Sequence, residues 1–230
     1  MSKVIEVPTT PKEDVKIWRY MDVGRFLWLL HSRALYFSRR HELDDKWEGA
    51  NPQSEIRKGS RERKAIGMPS FAEKIADEAV FNCWHENDRE SVAMWRLYTS
   101  GREGVAIQTT IDRLYWLLKK SQYWAMIQVL RVQYIDYDQE DDPPREGGHY
   151  GLLTCKRRSY EHEREVRAIL QTVPGSEGIL IHVDLQRLIQ RIVVAPTYPA
   201  WAIGSLQDAV ERVGISAKVE TSDLLRSPVD

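Results

Sequence analysis

Cysteine is nearly absent: Cys83 and Cys155 are the only two in 230 residues. Neither has a second cysteine nearby, so neither a disulfide framework nor a cysteine-based zinc site is indicated. Both are expected to be small buried hydrophobes. No stretch approaches the roughly 18 consecutive apolar residues of a membrane span. The opening residues MSKVIEVPTTPKEDVKIWRY also lack the apolar core of a signal peptide, and a cytoplasmic protein with no membrane partner is expected. An excess of one charge is missing too. With 33 Lys and Arg against 34 Asp and Glu the net charge is −1, which removes the global electrostatic case for a nucleic-acid or membrane partner. No Gly-x-Gly-x-x-Gly follows a strand, no phosphate loop precedes a Lys-Ser or Lys-Thr pair, and no His-Glu-x-x-His occurs.

What remains is an ordinary globular composition, 42% hydrophobic and 29% charged, which suits one domain over residues 1–230. Gly49–Gly67 and Asp136–Gly148 read as loops. Around them short helical and extended patterns alternate. Asp22 is placed to cap a helix carrying Phe26, Leu27, Leu29 and Leu30, and Leu35–Ser38 reads as a strand. Ser70 and Glu73 form a capping box for a helix to about Ala79, followed by the strand Val80–Trp84. A helix over Arg89–Ser100, a strand over Gly104–Thr109 and a Thr110-capped helix over Ile111–Lys120 come next. Strands are expected at Met126–Ile135, Tyr160–Gln171, Ile179–Val183, Arg191–Ala195 and Ala217–Glu220, with a helix over Ala200–Val213. Several neighbouring strands are joined by turns too short for a helical crossover, so the fold class is α+β with a mixed, mainly antiparallel sheet and flanking helices.

Chemistry is best sought between Tyr160 and Leu170. In one continuous strand Val166, Ala168 and Leu170 would share a core face, and Glu163, Glu165 and Arg167 the opposite one. Two carboxylates two positions apart stand roughly 6.5 to 7 Å from each other and repel unless a cation or a ligand lies between them. Arg167 is the structural counter-ion that this pattern offers; the alternative is a solvated face stitched by surface ion pairs. His162 falls on the core parity and reads as a structural histidine. Arg19, inside Ile17–Met21, must snorkel, pair with an acid or contact an anion, and Glu163 or Glu165 would serve as the acid. The charged loop after Ser38, with Asp45, Trp47 and Glu48, mixes residue types that loops use to contact substrates. The stretch Met94–Tyr98 is explained by packing.

Taken in order, Arg19-Tyr20, Phe37-Ser38 with Asp45 and Glu48, Met94-Trp95 with Tyr98 and Gly101, and Tyr160 through Arg167 resemble a bacterial family. It is known only as domain of unknown function twenty-nine seventy-one. The resemblance spans residues 17–196 and implies no activity. Its most specific part is Tyr160-x-His162-Glu163-x-Glu165-Val166-Arg167 against the family's Trp-x-Tyr-Glu-x-Glu-Tyr-Arg. The chain departs from the family at Asp44–Glu48, where Asn-Asp-Pro-Phe-Glu is usual, and at Leu97, where the family has His.

A weaker similarity is to ADP-ribosyltransferases, which carry an Arg or His on an early strand, a Ser or Tyr on a second, and a Glu at the head of a late strand. Arg19, Ser38 (or Tyr36) and Glu163-x-Glu165 follow that order. The similarity implies NAD as substrate, with Arg19 contacting its ribose and phosphates and Tyr36 or Tyr20 stacking on nicotinamide. Glu165 would stabilise the charge that develops as the glycosidic bond breaks, with Glu163 as helper. The protein or nucleic-acid acceptor stays open. Two other readings stand beside it: a magnesium-dependent nuclease holding its metal with Asp44 or Asp45, Glu163 and Glu165, and a non-catalytic binding module.

Overall fold

The structure is a computed structural model that describes residues 15–43, 45, 71–99, 103–137, 150–175 and 177–225. Its elements alternate as the sequence patterns require. β1 (Lys16–Asp22) leads into α1 (Val23–Ser32), and β2 (Ala34–Arg39) precedes α2 (Phe71–Glu78) and β3 (Ala79–Glu86); the loop expected at Gly49–Gly67 lies outside the described residues. α3 (Val92–Tyr98), β4 (Gly104–Thr110) and α4 (Ile111–Leu118) precede β5 (Ile127–Arg131) and β6 (Gln133–Ile135). β7 (Cys155–Arg157), β8 (Glu165–Gln171) and β9 (Ile179–His182) come next, then α5 (Leu185–Leu188), β10 (Arg191–Val194), α6 (Ile203–Arg212) and β11 (Val219–Thr221). The fold is mixed, with a mainly antiparallel sheet and helices; among the described residues two pairings, β6 with β7 and β10 with β11, are parallel.

Helix boundaries follow side chains that satisfy the free N–H groups of a first turn. Asp22 accepts the Arg25 N–H at 2.7 Å, and Thr110 accepts that of Arg113 at 3.3 Å, both as the sequence suggests. Ser91 caps α3, so that helix starts later than Arg89. Ser70 lies outside the described residues.

The chain divides into two compact units. The first comprises Tyr36–Cys83 and Tyr123–Leu180. Within it β8 pairs antiparallel with β5, from Ile127↔Leu170 to Arg131↔Val166, and pairs β3 on its other side. β3 pairs antiparallel with β2 at Ser38↔Phe81. Ala76, Ala79, Phe81, Leu130, Leu153 and Ile169 form its core. In the second unit β4 lies between β1 and β10, with β11 beyond β10 and the end of β3 beside β1. Trp18, Tyr20, Met94, Trp95, Ala106 and Val193 pack together there.

Two expected strands are broken. Met126–Ile135 splits at Val132, whose N–H donates to the Glu165 carbonyl at 2.8 Å, so that β5 and β6 run separately. The expected strand Tyr160–Gln171 starts as a helix: Arg158–Glu163 is a 3-10 helix, Arg164 takes the left-handed conformation at φ 40° and ψ 53°, and the strand begins at Glu165. The charges crowded into 157–165 explain the miss. Their alternation mimics strand parity, while a 3-10 turn followed by a left-handed residue re-aims the carboxylates.

Candidate functional site

The site grows from the junction at Arg164, all within the first unit. Because Glu163 ends a 3-10 helix and Glu165 opens a strand, the two side chains are not lined up on one strand face. They converge instead on a cation that the sequence reading missed. Lys156 Nζ donates to Glu163 Oε2 at 2.5 Å and to Glu165 Oε2 at 3.1 Å. Arg167 supplies the second cation, with Nε on Glu165 Oε1 at 2.6 Å and Nη2 on Oε2 at 3.0 Å. Its remaining nitrogen, Nη1, donates to the Leu153 carbonyl at 2.8 Å, and its guanidinium lies 5.6 Å from the centre of the Phe81 ring. This parallel fork on a carboxylate is the strongest geometry an ion pair adopts.

The alternative of a solvated face is thereby excluded for these residues. Glu163, Glu165 and Lys156 are buried, and Arg167 has no exposed surface. β8 is buried along both faces, and β5 and β3 pair with its two edges. His162, expected on the core side, is exposed on the 3-10 helix.

Register explains how Lys156 arrives. β6 and β7 pair in parallel with Tyr134 opposite Lys156, and the two residues address the same glutamate. Tyr134 accepts the backbone N–H of Glu165 on its hydroxyl at 2.8 Å, while Lys156 binds the carboxylate. The run Lys156-Arg157-Arg158, a few residues before the acids, is the signal that would have found the lysine. Tyr134 carries none.

Electrostatics decide the protonation state of Glu165. Burial pushes its carboxyl up, but Arg167 and Lys156 outweigh it, helped by the Cys83 thiol, and the carboxyl falls to about 2. Burial is also the main reason that the Tyr134 hydroxyl titrates well above its ordinary range, so it stays a neutral phenol. Cys155 is fully buried and its thiol is pushed up to about 12 by the same cause.

The other sequence candidates fall as follows. Asp45 is buried and pairs with Arg157 at 3.0 Å, and the Arg157 guanidinium also lies 5.4 Å from the Tyr160 ring. Trp47, Glu48 and Asp44 lie outside the described residues. Tyr36 and Ser38 stand on β2, half-buried. The Tyr36 hydroxyl donates to Glu42 at 2.7 Å and accepts the Gly178 N–H at 3.2 Å. Arg19 and Tyr20 belong to the second unit, on β1. The Arg19 guanidinium sits 5.9 Å from the Trp84 ring centre. Tyr20 is only 6% exposed, edge-on to Trp95 at 4.9 Å, and its hydroxyl receives the Ser91 N–H. That is a core tyrosine, with no face left for a ligand. The partners that hold the two glutamates are Lys156 and Arg167, on neighbouring segments of the same unit.

Among the described residues no three His, Cys, Asp or Glu side chains gather as a metal site would require. Asp45 and the two glutamates are engaged by basic side chains, which does not suit the magnesium reading.

No family model and no curated protein matches the chain. Solved structures do. One is DarT of Thermus sp. 2.9 in complex with NAD+, 10% identical, with 95% of this chain and 100% of that chain covered at a TM-score of 0.44. Another is DarT of Thermus sp. 2.9 in complex with ADP-ribosylated ssDNA, also 10% identical, covering 95% of this chain and 99% of that chain at a TM-score of 0.42.

Proposed function

We propose that the protein is an ADP-ribosyltransferase-like or NAD-cleaving enzyme that acts at the nicotinamide ribosyl bond, with Glu165 as the catalytic carboxylate. The observation that carries this reading is the state of Glu165: the first residue of β8, ionised, and fixed from both sides by Arg167 and Lys156. Breaking a glycosidic bond of this kind develops positive charge on the ribose. A preorganised anion at that position stabilises the transition state without reorganising. The similarity to ADP-ribosyltransferases asks for this residue at the head of a late strand, for Ser38 or Tyr36 on a second strand and for Arg19 on an early one. The elements on which these residues stand are β8, β2 and β1. Nicotinamide stacking falls to Tyr36, which belongs to the same unit as Glu165, since Tyr20 is enclosed. Glu163 assists through the shared Lys156. A protein or nucleic-acid acceptor follows from the same reading.

The test is nicotinamide release from NAD by the purified protein and by Glu165→Gln. Release by the wild type and a loss of at least about a hundredfold in the variant, the size of effect of removing a transition-state contact, support the assignment. An inert wild type or a fully active variant removes it.

A second reading is favoured by one observation. All the carboxylate oxygens of Glu165 and one of Glu163 already have cationic partners, as in a purely structural charge cluster inside a binding module. It predicts that Glu165→Gln lowers stability while wild type and variant alike release no nicotinamide.

A further inference from the structure

The second unit contains a cleft of about 340 Å³ whose chemistry is unlike that of the glutamate cluster. Leu117 and Val183, both buried, form its floor, and Lys120, His182, Asp184 and Arg187 form its rim. Two of the basic groups lie against Trp116. The Lys120 ammonium stands 3.3 Å from the indole centre, and the Arg187 guanidinium 5.9 Å from it. A third cation approaches from α4, since Arg113 donates through Nη1 to the Arg187 carbonyl at 3.1 Å.

Two basic side chains against one ring, with Arg113 on the Arg187 carbonyl, face one carboxylate, Asp184, which Arg187 holds at 3.3 Å with both side chains at least half exposed. Like charges drawn to one place repel, and the indole face offsets only part of that. A multiply charged oxyanion above the apolar floor would neutralise the excess. Arg supplies a fork matched to it and Lys a point charge. The volume is at the small end of ligand sites, room for a phosphoryl group with one sugar or base and little more.

We infer that the cleft lined by Lys120, His182 and Arg187 beside Trp116 binds a phosphate-bearing ligand no larger than a mononucleotide unit. The shared chemistry is the phosphoryl dianion, whether free or carried on a nucleic-acid backbone. The site belongs to the second unit and does not depend on the reaction proposed at Glu165.

The test is isothermal titration of the whole protein with pyrophosphate, ADP and a short oligothymidylate, with sodium acetate as monovalent control. Lys120→Ala, Arg187→Ala and their double variant are compared with the wild type and with Glu165→Gln. Pyrophosphate binding is expected, absent for acetate, weakened about tenfold by each alanine variant, which is about 1.4 kcal/mol, and retained in Glu165→Gln. Competition by ADP identifies a free nucleotide as the source and competition by the oligonucleotide alone a backbone; both outcomes uphold phosphate recognition. Failure of the wild type to bind pyrophosphate, or equal binding by a double variant of unchanged melting temperature, overturns it.

Discussion

Arg167 grips Glu165 with two parallel hydrogen bonds, Nε to Oε1 at 2.6 Å and Nη2 to Oε2 at 3.0 Å, at a place where the guanidinium has no exposed surface. Such a pair is weak evidence for net stability, because desolvating both ions costs about as much as their attraction returns. Removing one partner is another matter, since it strands the other charge.

Arg167→Ala is therefore expected to lower the unfolding free energy by about 3 to 5 kcal/mol, read from urea denaturation at neutral pH. Arg167→Lys keeps the charge and loses the fork, and should fall between the two. A loss under about 1 kcal/mol in the alanine variant would mean that water reaches the cluster.

Stability should also depend on pH through Glu165. Its carboxyl titrates at about 2 in the folded protein and near 4.5 ordinarily. The folded state thus binds fewer protons in that interval. The contribution is complete above the ordinary value and is lost as pH falls toward the folded one. Melting temperatures from pH 6 to pH 2 should fall more steeply for the wild type than for Glu165→Gln; parallel curves contradict the assignment.

The left-handed Arg164 sets where β8 begins, at φ 40° with its side chain exposed. Glycine adopts that conformation without the steric cost that other residues carry. Arg164→Gly should leave stability unchanged or raise it by up to about 1 kcal/mol, whereas Arg164→Val should destabilise clearly. Thermal unfolding of the pair separates a real left-handed junction from a continuous strand, in which valine would be the better residue.

The buried Cys155 thiol, pushed up to about 12, should stay unmodified when the native protein meets iodoacetamide at pH 8 and react fully in denaturant. Peptide mapping by mass spectrometry reads the difference; rapid native alkylation at Cys155 would contradict its burial.

Much of this architecture was legible in the sequence because local rules agreed with the tertiary result. Asp22 and Thr110 cap the helices that their positions announce, and β2, β4, β9 and β10 begin and end near their predicted bounds. The site was legible only in part. Alternating charges around Glu163 look like a strand, and only a hydrogen-bond donor from elsewhere, the Val132 N–H on the Glu165 carbonyl, marks where the strand starts. Lys156 and Tyr134 were missed for a different reason. They reach Glu165 through the parallel register of β6 and β7, two three-residue strands too short to leave a periodic pattern. Tyr20 looked available beside Arg19, but its place among Trp95, Trp18 and Met94 is a product of packing that spacing along the chain does not encode.

The central claim is that the ionised Glu165 does chemistry as well as holding charge. It is tested most directly by following nicotinamide release and melting temperature together in the wild type, Glu165→Gln and Glu163→Gln. Release by the wild type that collapses in Glu165→Gln, falls less in Glu163→Gln and does not track the melting temperatures is the predicted result. No release by the well-folded wild type, or losses that scale with destabilisation alone, would contradict it.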